Sequence, residues 1–78
     1  MDRLTVTVIR ALEAAPCSLR ALARTASVSH VQLLHITQGK RRATLTVARR
    51  VARALEQWSE MCSRAAARIH QAEPRRTR

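Results

Sequence analysis

Apolar residues recur at steps of three and four over the first sixteen residues, which is the spacing of one helix face: Leu4, Val8, Leu12 and Ala15. Asp2 can cap the start of this helix, and Pro16 stops it. The stretch LTVTVI within it alternates and is rich in β-branched residues, so a local strand is an alternative. No second run is visible to pair with such a strand, and the pattern therefore favours a helix.

Two short apolar runs follow with almost nothing between them. The first begins after Ser18, a good N-cap, and carries the apolar stripe Leu19, Leu22, Ala23 and Ala26. Ser29 caps the second run, in which Leu33 and Ile36 point to the core and Gly39 provides the end. The link is only Ser27 to Ser29, and so short a link forces a sharp crossing of the kind found in a helix-turn-helix.

A fourth helix begins at Thr44, and no glycine or proline follows until Pro74. Either this helix runs on, or a fifth begins near Trp58. Apolar residues continue at steps of three and four, as in a coiled-coil seam: Leu55, Trp58, Cys62, Ala65 and Ile69. This predicted seam either folds back on the chain's own core or joins two copies. We predict a homodimer, because the core is complete without the seam and an exposed stripe containing tryptophan is costly.

The distribution of charge along the chain indicates what kind of partner the protein binds. The 78 residues carry a net charge of +10, and no acidic residue lies between Glu13 and Glu56. Eight cations fall in that window: Arg20, Arg24, Lys40, Arg41, Arg42, Arg49, Arg50 and Arg53. Such a balance predicts a polyanionic partner, either nucleic acid or an anionic membrane surface, the alternative being a solvated basic face.

Other classes of protein are not favoured by the sequence. Trp58 is the only aromatic residue, so the core must be aliphatic, which suits an all-α fold. No apolar run approaches a membrane span and no signal-peptide core is visible, so we expect a cytoplasmic protein with reduced cysteines. The cysteines and histidines lack zinc-site spacing, and no phosphate-binding glycine loop or catalytic motif is found. We therefore expect no metal, no cofactor and no enzymatic activity.

The stretch SLRALARTASVSHVQLLHITQGKRR, followed by ATLTVARRVARAL, resembles the Cro/CI-type (XRE-like, lambda-repressor-like) helix-turn-helix family. The resemblance covers Ser18 to Leu55. It is carried by the capping serine, Leu22-Ala23, Val28-Ser29, the pair Leu33 and Ile36, Gly39 with its basic residues, and Ala54-Leu55. Ser27 stands at the turn glycine of the family, which predicts a non-glycine residue at positive φ.

The resemblance implies a four- to five-helix DNA-binding domain in which the third helix enters the major groove of double-stranded DNA. The outward face of that helix supplies the expected base contacts: His30, Val31, Gln32, Leu34 and His35. Helix N-termini and cations supply the expected contacts to the DNA backbone: Ser18, Arg20, Ser29, Lys40, Arg41 and Arg42.

These expectations divide the chain into three parts. Residues 1–56 form the DNA-binding domain, 57–72 an extended C-terminal dimerisation helix, and 73–78 a basic disordered tail. The expected function is a dimeric transcriptional regulator, most simply an autorepressor at a near-palindromic operator, in a bacterial cytoplasm or nucleoid or a phage-infected host. One alternative is an antitoxin-like protein whose C-terminal helix binds a co-encoded partner. Another is a non-specific architectural DNA-binding protein.

Overall fold

The computed structural model describes residues 2–74, and these form four α-helices and no strand. The helices are α1 (Arg3–Glu13), α2 (Leu19–Ala26), α3 (His30–Thr37) and α4 (Leu45–Ala72). The all-helical prediction is confirmed, and the alternating LTVTVI stretch lies within α1. Most of the predicted tail, residues 75–78, lies outside the described residues.

Each helix begins at the cap that the sequence predicts. In every case a short polar side chain in extended backbone accepts a hydrogen bond from an N–H of the first turn, which would otherwise lack a partner. The four N-caps are Asp2, Ser18, Ser29 and Thr44.

The turns after α2 and α3 each use one left-handed residue. Ser27 has φ 57°, as predicted, and the Val28 N–H closes the turn by donating to the Ala23 carbonyl at 3.0 Å. Gly39 has φ 76°, and the Lys40 N–H donates to the His35 carbonyl at 2.9 Å. These bonds span five residues and satisfy carbonyls at the helix ends, so both helices end abruptly. The α2–α3 link is three residues long, as predicted.

The core is aliphatic and draws on all four helices. Leu33 and Ile36 of α3 are fully buried, as is Leu22 of α2. Burying one such side chain contributes roughly 1.5–3 kcal/mol, so the α3 face that carries Leu33 and Ile36 is held firmly inward. The other buried apolar residues are Val8, Leu12, Ala23, Ala26, Ala43, Val47, Val51 and Ala54.

Thr5 is the one buried polar residue among residues 2–74, and it joins α1 to the loop before α4. Its Oγ1 accepts a hydrogen bond from the Ala43 N–H at 3.0 Å and donates to Asp2 Oδ2 at 3.0 Å. The Thr5 N–H also donates to Asp2 Oδ1 at 2.8 Å. The N-terminus of α1 therefore anchors the far end of the basic loop 40–44.

The longest helix, α4, has 28 residues and crosses the predicted domain boundary at 56/57 without a break. Its first half packs in the core, and every residue from Ser59 to Ala72 is exposed. We call residues 59–72 the projecting half. It accounts for the long dimension of the chain, which measures 59 × 21 × 18 Å.

Two hydrogen bonds join α4 to α2 and to the turn after it. The Trp58 Nε1–H donates to Thr25 Oγ1 at 3.1 Å, and its half-buried ring packs against the core. Further along, Arg50 Nη1 donates to the Ser27 carbonyl at 3.1 Å. The later residue of α4, Trp58, contacts the earlier residue, Thr25, and the earlier residue of α4, Arg50, contacts the later one, Ser27. The two helices therefore run antiparallel.

The Thr5 network yields a stability prediction. Thr5→Val keeps the side-chain shape but leaves the buried Ala43 N–H without an acceptor, so it should destabilise the protein by about 1–3 kcal/mol. Thr46→Val, at an exposed position on α4, should change stability by less than about 0.5 kcal/mol. Urea denaturation followed by circular dichroism measures both. Equal effects of the two variants would show that the Thr5 hydrogen bond has no special role.

The left-handed turn yields a second stability prediction. Ser27→Gly should stabilise the protein by about 0.5–1 kcal/mol, because glycine lacks the steric penalty at positive φ and this gain exceeds its larger loss of chain entropy. Ser63→Gly, in the middle of α4, should instead destabilise by about 0.5–1 kcal/mol. The same denaturation measurement applies, and a destabilised Ser27→Gly protein would contradict the assigned strain.

Candidate nucleic-acid interface

The surface of α3 divides into a buried and an exposed face. With Leu33 and Ile36 inward, Val31 is 54% exposed and Leu34 is 36% exposed. His30, Gln32 and His35 are half-buried and flank this pair. The five predicted base-contact residues are thus all at least partly accessible, with Val31 and Leu34 the most open.

One further residue belongs to this face. Gln38 is the C-cap of α3, is exposed, and lies seven residues after Val31, which is two helical turns. It therefore continues the line of Val31 and Leu34. The sequence periodicity contained this signal, but Gln38 was not among the predicted contact residues.

Basic residues lie at both ends of α3. The exposed loop residues Lys40, Arg41 and Arg42 follow its C-terminus and share a shallow depression of about 290 Å³ with Gly39. At the other end, the hydrogen bond from Arg50 to the Ser27 carbonyl places that guanidinium at the turn that leads into α3. Both ends of the exposed face are therefore positively charged.

A further depression of about 180 Å³ on α4 is lined by Thr46, Arg49, Arg50 and Arg53. Arg50 and Arg53 also line the cleft against the C-terminal end of α2. The sequence alone leaves open a solvated face for some of these arginines. Their position at the α2–α3 turn depends on how α4 packs against α2, which no local pattern specifies.

The predicted contacts at the N-termini of α2 and α3 are accessible as well. Ser18, Arg20 and Ser29 are exposed. The Ser18 hydroxyl accepts from the Ala21 N–H at 3.1 Å, and the Ser29 hydroxyl accepts from the Gln32 N–H at 3.4 Å. Both serines thus hold helix N-termini whose remaining N–H groups are free to meet an anion.

One predicted phosphate contact has an acidic partner. Arg42 Nε lies 3.6 Å from Asp2 Oδ2, although the Arg42 side chain is 84% exposed. Hydrogen bonds from the Thr5 backbone N–H and then from the Thr5 hydroxyl lower the pKa of Asp2. Burial opposes them, and the positive charge of Arg42 lowers the pKa by less than burial raises it. The contribution of the ionised Asp2 to folding stability is therefore fully present above its unfolded pKa. It is lost as the pH falls through the lower pKa of the folded state.

The other acidic residues with ion-pair partners lie on and just after the projecting half. Glu60 pairs with Arg64 at 2.6 Å, and Glu73 lies 3.3 Å from His70. Such exposed pairs contribute little to stability. The position of these two glutamates does, however, keep their negative charge away from the surface around α3.

The predicted seam divides into two groups in the structure. Leu55 and Trp58 are half-buried and pack against the chain's own core, whereas Cys62, Ala65 and Ile69 are exposed. Trp58 in particular is engaged within its own chain. Its ring and its Nε1–H already have partners within the chain.

The remaining chemistry-bearing groups do not converge on a second site. Cys17 is half-buried and Cys62 is exposed, and neither forms a disulfide. Burial, and then the neighbouring Cys62, raise the pKa of the Cys17 thiol, which makes it a poor nucleophile at neutral pH. Within residues 2–74, no three His, Cys, Asp or Glu side chains are grouped closely enough to hold a metal ion.

None of the helices in this part of the chain combines the length and apolar character that crossing a lipid bilayer requires.

Comparisons of the chain with protein-family models, curated proteins and solved structures found no match.

Proposed function

We propose that this protein is a sequence-specific double-stranded DNA-binding regulator of the Cro/CI-type helix-turn-helix class, with α3 as its recognition helix. The observation that supports this best is the exposed face of α3 with cations at both of its ends. Lys40, Arg41 and Arg42 stand at one end, and Arg50 is tied to the turn at the other. A helix entering the major groove has a phosphate strand near each end, and this charge distribution suits that placement.

The residue types on α3 suit base recognition. Val31 and Leu34 offer apolar surface to thymine methyl groups, and a neutral histidine at His30 or His35 offers one donor and one acceptor. Gln38 has the amide that pairs with adenine in a bidentate manner, as does the less exposed Gln32. Base contacts are therefore assigned to this whole face.

Phosphate contacts fix orientation and supply salt-dependent affinity. We assign them to the N-termini of α2 and α3, with Ser18, Arg20 and Ser29, and to the loop residues Lys40, Arg41 and Arg42. Arg50 joins this set because of its position at the turn. Arg42 is the weakest member, since Asp2 partly neutralises it.

A homodimer fits this role, because one recognition helix reads only a few base pairs. Two helices related by a two-fold axis read half-sites about 10 base pairs apart. The simplest regulator of this kind is an autorepressor that occupies a near-palindromic operator.

The exposed projecting half favours a second candidate function, that of an antitoxin-like protein. Met61 is 46% exposed and Ile69 is 67% exposed. In that case the projecting half binds a co-encoded partner protein, and DNA binding serves autoregulation. Co-purification of a neighbouring gene product that is lost when residues 59–72 are removed would favour this candidate.

Selection of bound sequences from random double-stranded DNA tests the proposal directly. We expect enrichment of a near-palindromic site, bound at least about 10³-fold more tightly than random DNA at physiological salt. His35→Ala should lose about 1 kcal/mol on the selected site and little on random DNA, while His70→Ala on α4 serves as the matched control. Binding without any enriched sequence would instead favour an architectural protein.

The basic loop gives an independent prediction. Arg41→Ala should weaken binding to all DNA sequences alike and lower the slope of log affinity against log salt by about one unit, because one phosphate contact is lost. Arg68→Ala removes another exposed charge, this one from the projecting half, and should leave the slope unchanged. Fluorescence anisotropy at several salt concentrations measures both. Equal slopes for the two variants would remove the loop from the interface.

A further inference from the structure

One flank of α4 carries an unbroken row of uncharged, mostly apolar positions along the whole helix. Starting at the first helical residue, the positions recur at alternating steps of three and four over four heptads, as in a coiled coil. None of them is charged, although α4 contains five arginines and two glutamates. We call this row the flank seam: Leu45, Ala48, Ala52, Leu55, Ser59, Cys62, Ala66 and Ile69.

The flank seam is accessible. Leu45 is 54% exposed and Ile69 is 67% exposed, and the positions between them are exposed or half-buried. In the first half of α4 the seam forms one wall of an open groove of about 290 Å³ against α1, where Leu4, Thr7 and Ala11 form the other wall. The groove and the exposed apolar row beyond it are therefore continuous.

The flank seam is symmetric about residue 57. Reversing the helix end for end about this point places Leu45 opposite Ile69, Ala48 opposite Ala66, and Leu55 opposite Ser59. A two-fold interface needs this property, since residue i must meet j while j meets i. The bulkiest exposed residues pair at the two ends, and small residues between them allow the helices to approach closely.

We infer that two copies of the chain pair through the flank seam with their α4 helices antiparallel, so that the projecting half of each copy lies in the α1–α4 groove of the other. This pairing rests on the proposed function, since it specifies the homodimer of the proposed regulator. Its tests use the protein without DNA, so they can fail separately from the DNA-binding proposal.

A parallel pair fits the same surfaces poorly. It would set each groove against the other copy's groove, so that α1 met α1 and Arg49, which lines the groove, approached its own mate. In the antiparallel pair, each groove instead receives the partner's projecting half, against which no other helix of that copy packs. It also moves the two arginine-rich halves apart, which matters in a chain of net charge +10.

The size of the contact sets the expected strength. A helix of 28 residues is about 42 Å long, and a groove between packed helices is about 10 Å wide. The footprint is then roughly 400 Å² on each copy, or about 800 Å² in total, which is below the standard size of a specific interface and typical of a weak one. We therefore expect a monomer–dimer equilibrium in the micromolar range, measurable by analytical ultracentrifugation.

Three consecutive alanines provide matched variants for the seam. Ala65, Ala66 and Ala67 are all exposed, and changing each to glutamate alters charge and helix propensity equally. Ala66→Glu should weaken dimerisation by about tenfold or more, because the dimer then buries two carboxylates. Ala65→Glu and Ala67→Glu should change it by less than about threefold. Ala65 belongs to the seam predicted from sequence, so an Ala65→Glu effect as large as that of Ala66→Glu would overturn the flank seam.

Disulfide trapping tests the orientation. In the antiparallel pair Ala52 faces the partner's Cys62, whereas the two Cys62 residues stand about 15 Å apart along the helices, beyond disulfide reach. In a Cys17→Ser background, Ala52→Cys should therefore give a covalent dimer on mild oxidation with diamide. The background protein, whose only cysteine is Cys62, should form no covalent dimer. The variant that carries both Ala52→Cys and Cys62→Ser should form none either.

A covalent dimer through Cys62 alone would demonstrate a parallel pair and overturn the proposed orientation. A wild-type protein that remains monomeric at several hundred micromolar would overturn the interface itself. Circular dichroism of each variant establishes that the helices remain intact, so that a loss of dimer is not a loss of fold.

Discussion

The rotation of α4 about its own axis is fixed by its contacts with the core, among them those of Trp58, and the division of the surface depends on that rotation. The indole ring packs against the core and donates to Thr25, so one face of α4 turns inward with Val47, Val51 and Ala54. Arg50 is thereby directed to the turn before α3, and a neighbouring flank remains open beside α1. The packing of this one helix thus determines both the basic surface and the free apolar surface.

Features that depend on residues close in sequence could be predicted. The four caps, the left-handed Ser27 and the abrupt end at Gly39 each depend on a side chain and the backbone within one or two turns of it. The two buried positions on α3 follow from helical spacing alone, and they determine which side of that helix remains exposed. Most of the candidate site could therefore be located from the order of the residues alone.

Features that depend on packing between distant segments could not. The bond between Thr5 and Ala43 joins residues 38 positions apart, and nothing in the alternating LTVTVI stretch indicates it. The same holds for Arg50 at Ser27 and for Trp58 at Thr25. On a long helix, two rows with the same three-and-four spacing can share members, as the predicted seam and the flank seam share Leu55, Cys62 and Ile69. Only the packing of the bundle shows which side of the helix is buried. The row containing Trp58 was predicted as the free one, but the bundle uses its first two members.

The long α4 also governs how the molecule moves through a solution or a matrix. With axes of 59 × 21 × 18 Å, the chain is nearly three times as long as it is wide. A rod of this kind experiences more friction than a sphere of equal mass, and it elutes early from a sieving column calibrated with globular standards. An antiparallel partner laid along the rod would add width more than length, so dimerisation would double the mass while making the particle less asymmetric. The sedimentation coefficient would therefore rise clearly on dimerisation, whereas the apparent radius from the sieving column would rise by less than the doubled mass suggests.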